Sequence, residues 1–417
     1  MTTIHELSQT LQTLLTTTAD VLAKSTGFIR RQRQVTGAGF AQALVLGGLD
    51  QPTATRRQQQ QHASRVGMSV SVQGLEQRFS PQAVKFLRQL LEAGLEQVVS
   101  GETEEVVLPQ FNGVYLTDCT RLVWGQSGMK LAVRWEVQHG RLQARLEDLK
   151  AHDQKTSVIE ETMPAGALHL ADLGFFKLAR FARWSQQGLY WLTRFKVGTR
   201  VYRRDGTPLD VLTVLTQAQS ALFLPVLLGA KEQLPAYLVA AAVPQAAYDK
   251  RMVRLREQAR LDQRPLSVRQ SAFAPWTLYL TNIPDLTFAQ AHVLARTRWQ
   301  IELLFKLWKS QGQVLASRSA DPIRQQCEGY AKLVGLLVAH WLLLVTGWQA
   351  VVLSATDALR LARCYAPLLM RVFAQPDLWA LLFRCLCQDI GHLPRPSKRR
   401  NAPLAFHSLR DFDLVLP

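Results

Sequence analysis

Acidic residues are scarce in this sequence. The 32 Asp and Glu stand against 49 Lys and Arg, leaving a formal net charge of +17 at pH 7 with histidine neutral. That imbalance points to a polyanionic partner, nucleic acid before a membrane surface, although charge does not separate DNA from RNA. Cysteine is scarcer still. Cys119, Cys327, Cys364, Cys385 and Cys387 are too few and too scattered over 417 residues for a disulfide framework, and reduced thiols are expected. Cys385-Leu386-Cys387 has the wrong spacing for a zinc pair and no second pair follows it, so no structural metal is expected from the thiols. Long hydrophobic runs are also missing. The longest, Leu333 to Val345, is interrupted by His340 and falls short of the roughly 20 residues a membrane span needs. It reads as a buried helix. The first residues, MTTIHELSQTLQTLL, lack the basic segment and continuous apolar run of a secretory signal, so a cytoplasmic location is expected.

What the chain has is bulk and pattern. Hydrophobic residues make up 47% of the sequence, enough for a large core in two or three domains. From about residue 5 to 105, apolar positions recur every three or four residues, as in helices. Ser80-Pro81 reads as the cap and first position of one of them, which runs to near Val99. Just before it, Ala63 and Gly67 fit the corner of a helix-turn-helix whose second helix begins near Ser71. That helix would offer Gln73, Glu76, Gln77 and Arg78 to a major groove, while a plain helical hairpin has small residues at the same places. Arg30, Arg31, Arg33, Arg56, Arg57 and Arg65 suit phosphate contact or a solvated face equally.

The pattern changes after Gly101. VVLPQF, GVYLTDCTRLVW and MKLAVRWEVQHGRLQARLEDL are β-branched and alternating, with His139-Gly140 as a hairpin corner. They predict a three-stranded antiparallel meander. Asp118 is expected at the end of its first strand. A fourth strand, ALHLAD, ends in Asp172, and a helix from near Phe175 to Ser185 and a fifth strand, GLYWLTRFK, follow. Strand, helix and strand in that order predict a βαβ unit with the fourth strand parallel to the first. The two aspartates would then face each other, although an Asp before a helix is commonly an N-cap and nothing more.

Residues 197 to 274 read as an insertion. Strands are expected at Val201–Arg203, Leu209–Leu215, ALFLPVLLG and AYLVAAAV, then a basic helix holding Lys250, Arg251, Arg254, Arg256 and Arg260. Core pattern resumes in the strand WTLYLTN. It continues in a helix from Ala295 to Gln311, where Arg298, Glu302 and Lys309 fall within roughly 40° on the helical wheel. By itself that stripe is also what a surface Arg-Glu pair looks like. Residues 322 to 388 are helical and apolar, and the tail carries Arg395, Lys398, Arg399 and Arg400.

Taken together, TNIP, ARTRWQIELLFKLWKSQ and SRSADPIRQQCEGYAKLVGLL resemble the carboxy-terminal signature of bacterial insertion-sequence DDE transposases of the IS-four type, relatives of the Tn-five transposase. That signature is Tyr, two residues, Arg, three residues, Glu, six residues, Lys. Arg298, Glu302 and Lys309 match it, and Ala295 stands where the tyrosine belongs. YLTDCT resembles the family's first catalytic aspartate segment and LADLGFF its second, so the resemblance covers about residues 106 to 345.

The resemblance implies an α/β fold, an RNase H-like catalytic core interrupted by a β-rich insertion, with helical N-terminal and C-terminal regions. The expected layout is a helical DNA-binding domain over 1–105, core over 106–196, insertion over 197–274, core over 275–345, and a helical region with basic tail over 346–417. Asp118, Asp172 and Glu302 are implied as catalytic residues and as ligands of two Mg²⁺ ions, for which Mn²⁺ can substitute. Carboxylates are hard ligands that leave sites open on such ions, and two ions about 4 Å apart suit phosphodiester chemistry. Arg298 and Lys309 are implied to grip DNA phosphates. Trp276 lies near the position of a base-stacking tryptophan, and core packing is its alternative. The implied partners are double-stranded DNA, as inverted-repeat element ends and as target, and a second copy of the chain in the DNA complex, with no membrane. A catalytically silent DNA-binding repressor on the same fold is the alternative.

Overall fold

The computed structural model describes residues 2–31, 34–101, 107–218, 221–346 and 355–393, with positions 412, 414 and 416. Arg33 and the basic run from Arg395 to Arg400 lie outside the described residues.

Capping chemistry decides where the amino-terminal helices begin. Thr3 and Glu6 form a capping box ahead of α1 (Ile4–Thr13), which a π turn joins to α2 (Ala19–Ser25). Thr36 opens α3 (Gly37–Asp50), Thr55 and Gln58 box the start of α4 (Arg56–Arg65), and Ser71 caps α5 (Val72–Glu76). At α6 (Pro81–Leu95), Ser80 accepts from the Ala83 amide at 3.2 Å with Pro81 in the first turn. Each such cap satisfies a helix-end amide that would otherwise lack a partner.

The remaining elements alternate. They are β1 (Val114–Trp124), β2 (Ser127–Glu136), β3 (Arg141–Glu147), β4 (Leu168–Ala171), α7 (Leu178–Gln186), β5 (Tyr190–Arg194), β6 (Val201–Tyr202), α8 (Val211–Gln217), β7 (Ala221–Leu228) and β8 (Leu234–Ala242). Then come α9 (Gln245–Leu261), α10 (Val268–Phe273), β9 (Trp276–Thr281), α11 (Phe288–Thr297), α12 (Trp299–Lys306), α13 (Pro322–Val345), α14 (Ala355–Val372) and α15 (Pro376–Gly391). Among the described residues the fold is mixed α/β, with nine strands and helical regions towards both ends.

The chain forms two compact units. The first gathers the described residues within Met1–Val106, Asp118–Glu160 and Ile301–Ala402. Its spine is α13, which packs against α3 and α6 and is buried from Leu333 through Leu344. By length and composition α13 is apolar enough to cross a membrane, yet here it is a core helix, as the sequence suggested. Large apolar side chains buried in this way stabilise by about 1.5–3 kcal/mol each. One polar knot interrupts that core. Arg324, 3% exposed, donates to Glu328 Oε1 at 2.9 Å, to Gln59 Oε1 at 2.7 Å and to Glu76, and its guanidinium lies 5.0 Å from the centre of the Phe79 ring. β2 and β3 pair antiparallel around the Gly140 corner.

The second unit gathers the described residues within Val107–Thr117, Glu161–Gln300 and Pro403–Pro417. Val114 of β1 pairs with Leu168 of β4 in parallel, and Leu168 in turn with Tyr190 of β5, so the βαβ unit is present. β4 is buried along its whole length, as a parallel strand covered on both faces must be. β9 lies antiparallel beside β5, and β8, β7 and β6 follow in order. β6, β7 and β8 therefore extend this unit's sheet. α7 covers β5, with Phe181 stacked on Trp191 at 4.6 Å.

Several expectations need correction. VVLPQF forms no strand among its described residues, which run in turns and bends from Val107, with Leu108 at φ +56°. Asp118 lies in the middle of β1, since that strand continues to Trp124. The expected strand at Leu209–Leu215 is helix α8, because the Asp210 carboxylate accepts from the Leu212 amide and the Thr213 hydroxyl and so caps a helix. The expected reading helix is one turn, α5, and Glu76 at its end faces Arg324 and Arg56 (3.3 Å) rather than a groove. The helix expected from Ala295 to Gln311 is interrupted at Arg298 and finishes in a π turn, Leu307–Gln311. Thr297 donates back to the Val293 carbonyl at 3.2 Å at that interruption, a bond that bends helices.

Candidate active site

In the second unit, Asp172 follows directly on the buried strand β4, in extended conformation at the head of the 3₁₀ turn Leu173–Phe175. Its side chain makes no capping hydrogen bond there, so the plain N-cap role does not account for it. Asp172 Oδ1 lies 3.8 Å from Arg298 Nε, with the two side chains 36% and 14% exposed. A carboxylate this open to water can take up a cation.

Two neighbours hold this corner in place, and neither stood out in the sequence. Arg180 of α7 is 2% exposed and donates to the Phe175 carbonyl at 3.0 Å, fixing the turn that Asp172 opens. His169 of β4 is fully buried. Its Nε2 is 2.9 Å from the Thr117 hydroxyl on β1, and its ring lies 4.4 Å from that of Trp184. A buried Arg in a helix and a buried His in a strand, each making a hydrogen bond to a neighbouring element, are the local traces such support leaves.

In the first unit, Asp118 is half-buried and its Oδ1 accepts from the Cys119 amide at 2.8 Å. Burial, then the carboxylates around it, pushes the Cys119 thiol well up, so it is no nucleophile at neutral pH. Burial pulls the Lys309 ammonium down from its ordinary value while the charge of Asp118 pulls it back up. Lys309 and Asp118 are thus electrostatic neighbours. Glu302 sits in the first turn of α12, half-buried, on a helix that hides Ile301, Leu304 and Phe305. A carboxylate is well placed there with respect to the helix dipole. Among the described residues, no three His, Cys, Asp or Glu side chains form a group that could hold a metal ion as they stand. Donor type nevertheless fits, since all three acids offer hard oxygen ligands and none is fully buried.

The other two predicted residues lie elsewhere. Trp276 begins β9, half-buried, and its carbonyl accepts from Arg251 Nη1 at 2.6 Å. Arg78 is exposed in the turn after α5 and lines a cleft of about 570 Å³ with Arg30, Arg31, Gln77 and Gln82. All five cysteines are free thiols.

An α/β chain with a strong basic excess, carrying carboxylates flanked by Arg and Lys, has the character of an enzyme acting on a polyanion. Residues 125–338, more than half of the chain, match the transposase DDE domain, and the chain belongs to that family of enzymes, which cleave DNA and transfer its strands. The match contains Asp172, Arg298, Glu302 and Lys309 and begins after Asp118. The chain is similar to the transposase for insertion sequence element IS231F of Bacillus thuringiensis subsp. israelensis, 26% identical over 361 residues, covering 76% of this chain and 75% of that protein. It is also similar to the transposase for insertion sequence element IS1151 of Clostridium perfringens, 23% identical over 362 residues and 76% of each chain. The transposase for insertion sequence element IS231E of Bacillus thuringiensis subsp. finitimus is 25% identical over 365 residues, 76% of this chain and 75% of that one. Members of the family generally use divalent metal ions.

Proposed function

We propose that the chain is an insertion-sequence transposase of the IS-four type that binds terminal inverted repeats and cuts and joins DNA with Asp118, Asp172 and Glu302. The observation that carries this reading is Asp172. It follows a buried parallel strand, is not spent on capping, and is ion-paired to Arg298, which precedes Glu302 by four residues in the sequence. Within the second unit, the parallel pairing of β1 with β4, Val114 with Leu168, Tyr115 with His169 and Leu116 with Leu170, supports the strand order that this reading requires.

In this reading the three carboxylates hold two Mg²⁺ ions, or Mn²⁺ in their place. When bound, the ions supply activation of the attacking oxygen and stabilisation of the leaving oxygen at the phosphodiester. Arg298 orients Asp172 and offers a planar guanidinium to a phosphate, for which arginine geometry is suited. Lys309, already partly desolvated, binds phosphate at a smaller further desolvation cost. Trp276 stacks on a base and Arg78 contacts the backbone of the element end. The core is RNase H-like, split as 106–196 and 275–345 by the insertion 197–274, with a DNA-binding region over 1–105 and a helical region over 346–417. The active form is a homodimer on double-stranded DNA, acting on the nucleoid in the cytoplasm and not at a membrane.

The test uses labelled duplexes copied from the DNA on either side of the gene, with and without Mg²⁺, comparing the wild type with Glu302→Gln. A Mg²⁺-dependent nick at a discrete end, absent in the variant while binding is kept, is expected. Equal loss of binding and cleavage in Glu302→Gln would remove Glu302 from the ligand set. Tight binding without a nick under any divalent cation would favour the silent repressor, with Ala295 in the tyrosine's place as the first suspect.

A further inference from the structure

The segment that ends the Glu302 helix is held from outside. After the π turn Leu307–Gln311, the Gly312 amide bonds the Leu307 carbonyl at 2.8 Å and the Val314 amide that of Trp308 at 3.4 Å. Gln313 takes the left-handed conformation at φ +50°. A Cβ on Gly312 would come within 2.6 Å of both Leu336 and the Trp308 carbonyl, so the backbone is pressed against α13. Side chains from three other elements of the same unit then take up the carbonyls. Arg363 of α14 donates to Gln311, Trp124 of β1 to Val314 at 3.1 Å, and Lys332 of α13 to Gln313 at 3.4 Å and, more closely, to Ala316.

Lys332 is the unexpected member. It is 4% exposed on a helix that is otherwise largely apolar, with Glu328 one turn before it supplying the opposite charge. Burying an ammonium is unfavourable unless its hydrogen bonds are made, and an apolar side chain at this place would avoid that cost. What the ammonium provides is a donor with several protons at the carbonyl end of the π turn, where a helix dipole favours a cation. Residues in a π turn advance by a smaller angle than in an α-helix. The place where the turn begins and ends therefore sets which way Lys309 faces relative to Glu302. Trp124 ties the same segment to β1, the strand that carries Asp118.

We infer that Lys332, together with Arg363, is a positioning residue that fixes the rotation of the helix bearing Glu302 and Lys309. The inference rests on the reading of Glu302 as a site acid. Its test compares Lys332→Met, Lys332→Arg, Arg363→Met and Arg363→Lys in the full-length protein. The readouts are hydrogen-exchange mass spectrometry of peptides spanning 307–316 without DNA or metal, and Mg²⁺-dependent cleavage of the end duplex. The Met variants are expected to exchange faster in that stretch and to lower kcat by about 10- to 100-fold, as misplaced catalytic groups do, with a smaller rise in KM for DNA as Lys309 turns from its phosphate. The Arg and Lys replacements are expected to restore both. Arg363 is half-buried, so its variants carry the test if Lys332→Met does not fold. Unchanged exchange in 307–316 would overturn the clamp, and faster exchange with wild-type kcat would overturn positioning. Glu302→Gln is run alongside. Full cleavage by that variant would overturn the site reading itself and the inference with it, whereas an inactive Glu302→Gln beside a fully active Lys332→Met or Arg363→Met would overturn the inference alone.

Discussion

Replacing His340 with Gln is expected to remove about 3 kcal/mol of acid sensitivity from the first unit. His340 lies on α13, 5% exposed, and its Nε2 sits 2.8 Å from the Gly140 carbonyl at the β2–β3 corner. A carbonyl only accepts, so Nε2 carries the proton. The Trp135 ring packs edge-on at 6.3 Å. Burial pushes the imidazole down to about 4 from its ordinary 6.5, against the Gly140 bond, which pulls the other way. Between those values the unfolded chain binds a proton that the folded chain refuses. Stability from this residue is therefore fully present above pH 6.5 and is lost as the pH falls towards 4, by about 2 kcal/mol at pH 5 and about 3 at pH 4. Gln keeps an N–H donor for Gly140 without the titration. The assay is urea unfolding followed by tryptophan fluorescence, wild type against His340→Gln, at pH 7.5, 6.0 and 5.0. Other groups titrate equally in both proteins, so the difference isolates His340. The wild type should lose ground to the variant as the pH falls. A difference that stays constant over this range, or moves in the wild type's favour, would refute the assignment of a neutral buried imidazole.

Arg324→Met should cost about 3–5 kcal/mol, because it strands Glu328 and Glu76 around a buried position; thermal melts should show that adding Glu328→Gln and Glu76→Gln returns part of that loss. Arg298→Ala should weaken binding to the end duplex and reduce the slope of log K against log salt by about one phosphate's worth, and titrations that show an unchanged slope would count against a phosphate contact.

Much of the architecture was legible because its causes are local. Ser80-Pro81 and the alternation in MKLAVRWE are signals carried within a few residues, and the βαβ unit followed from connection length. Errors arose where two local signals competed. Asp210 decided for a helix over the β-branched run Val211-Leu212-Thr213-Val214, and Thr297 and the π turn broke a periodicity that reads as one unbroken helix. In the candidate site, the proposed acids stand out by residue type and order, although Asp118 lies inside β1 and not at its end. Their supports do not. Trp124 meets Val314 across a gap of 190 residues, and no spacing rule in a single sequence connects such a pair.

That difference has a physical origin. The residues proposed to touch DNA need to be of one chemical type at one place, so their identity survives as a pattern of Asp, Glu, Arg and Lys. A supporting residue needs only to fill a gap left by the others, and its type is decided by whichever backbone groups remain unsatisfied there. Lys332 illustrates the point, since in sequence it is a single basic residue in an apolar helix. It gains a role only once Gln313 turns left-handed and leaves carbonyls pointing at α13. Arg180 gains its role in the same way from the Phe175 carbonyl. Both argue that the acids of such a site are found by reading along the chain, and that their supports are found by asking where each buried backbone oxygen is satisfied.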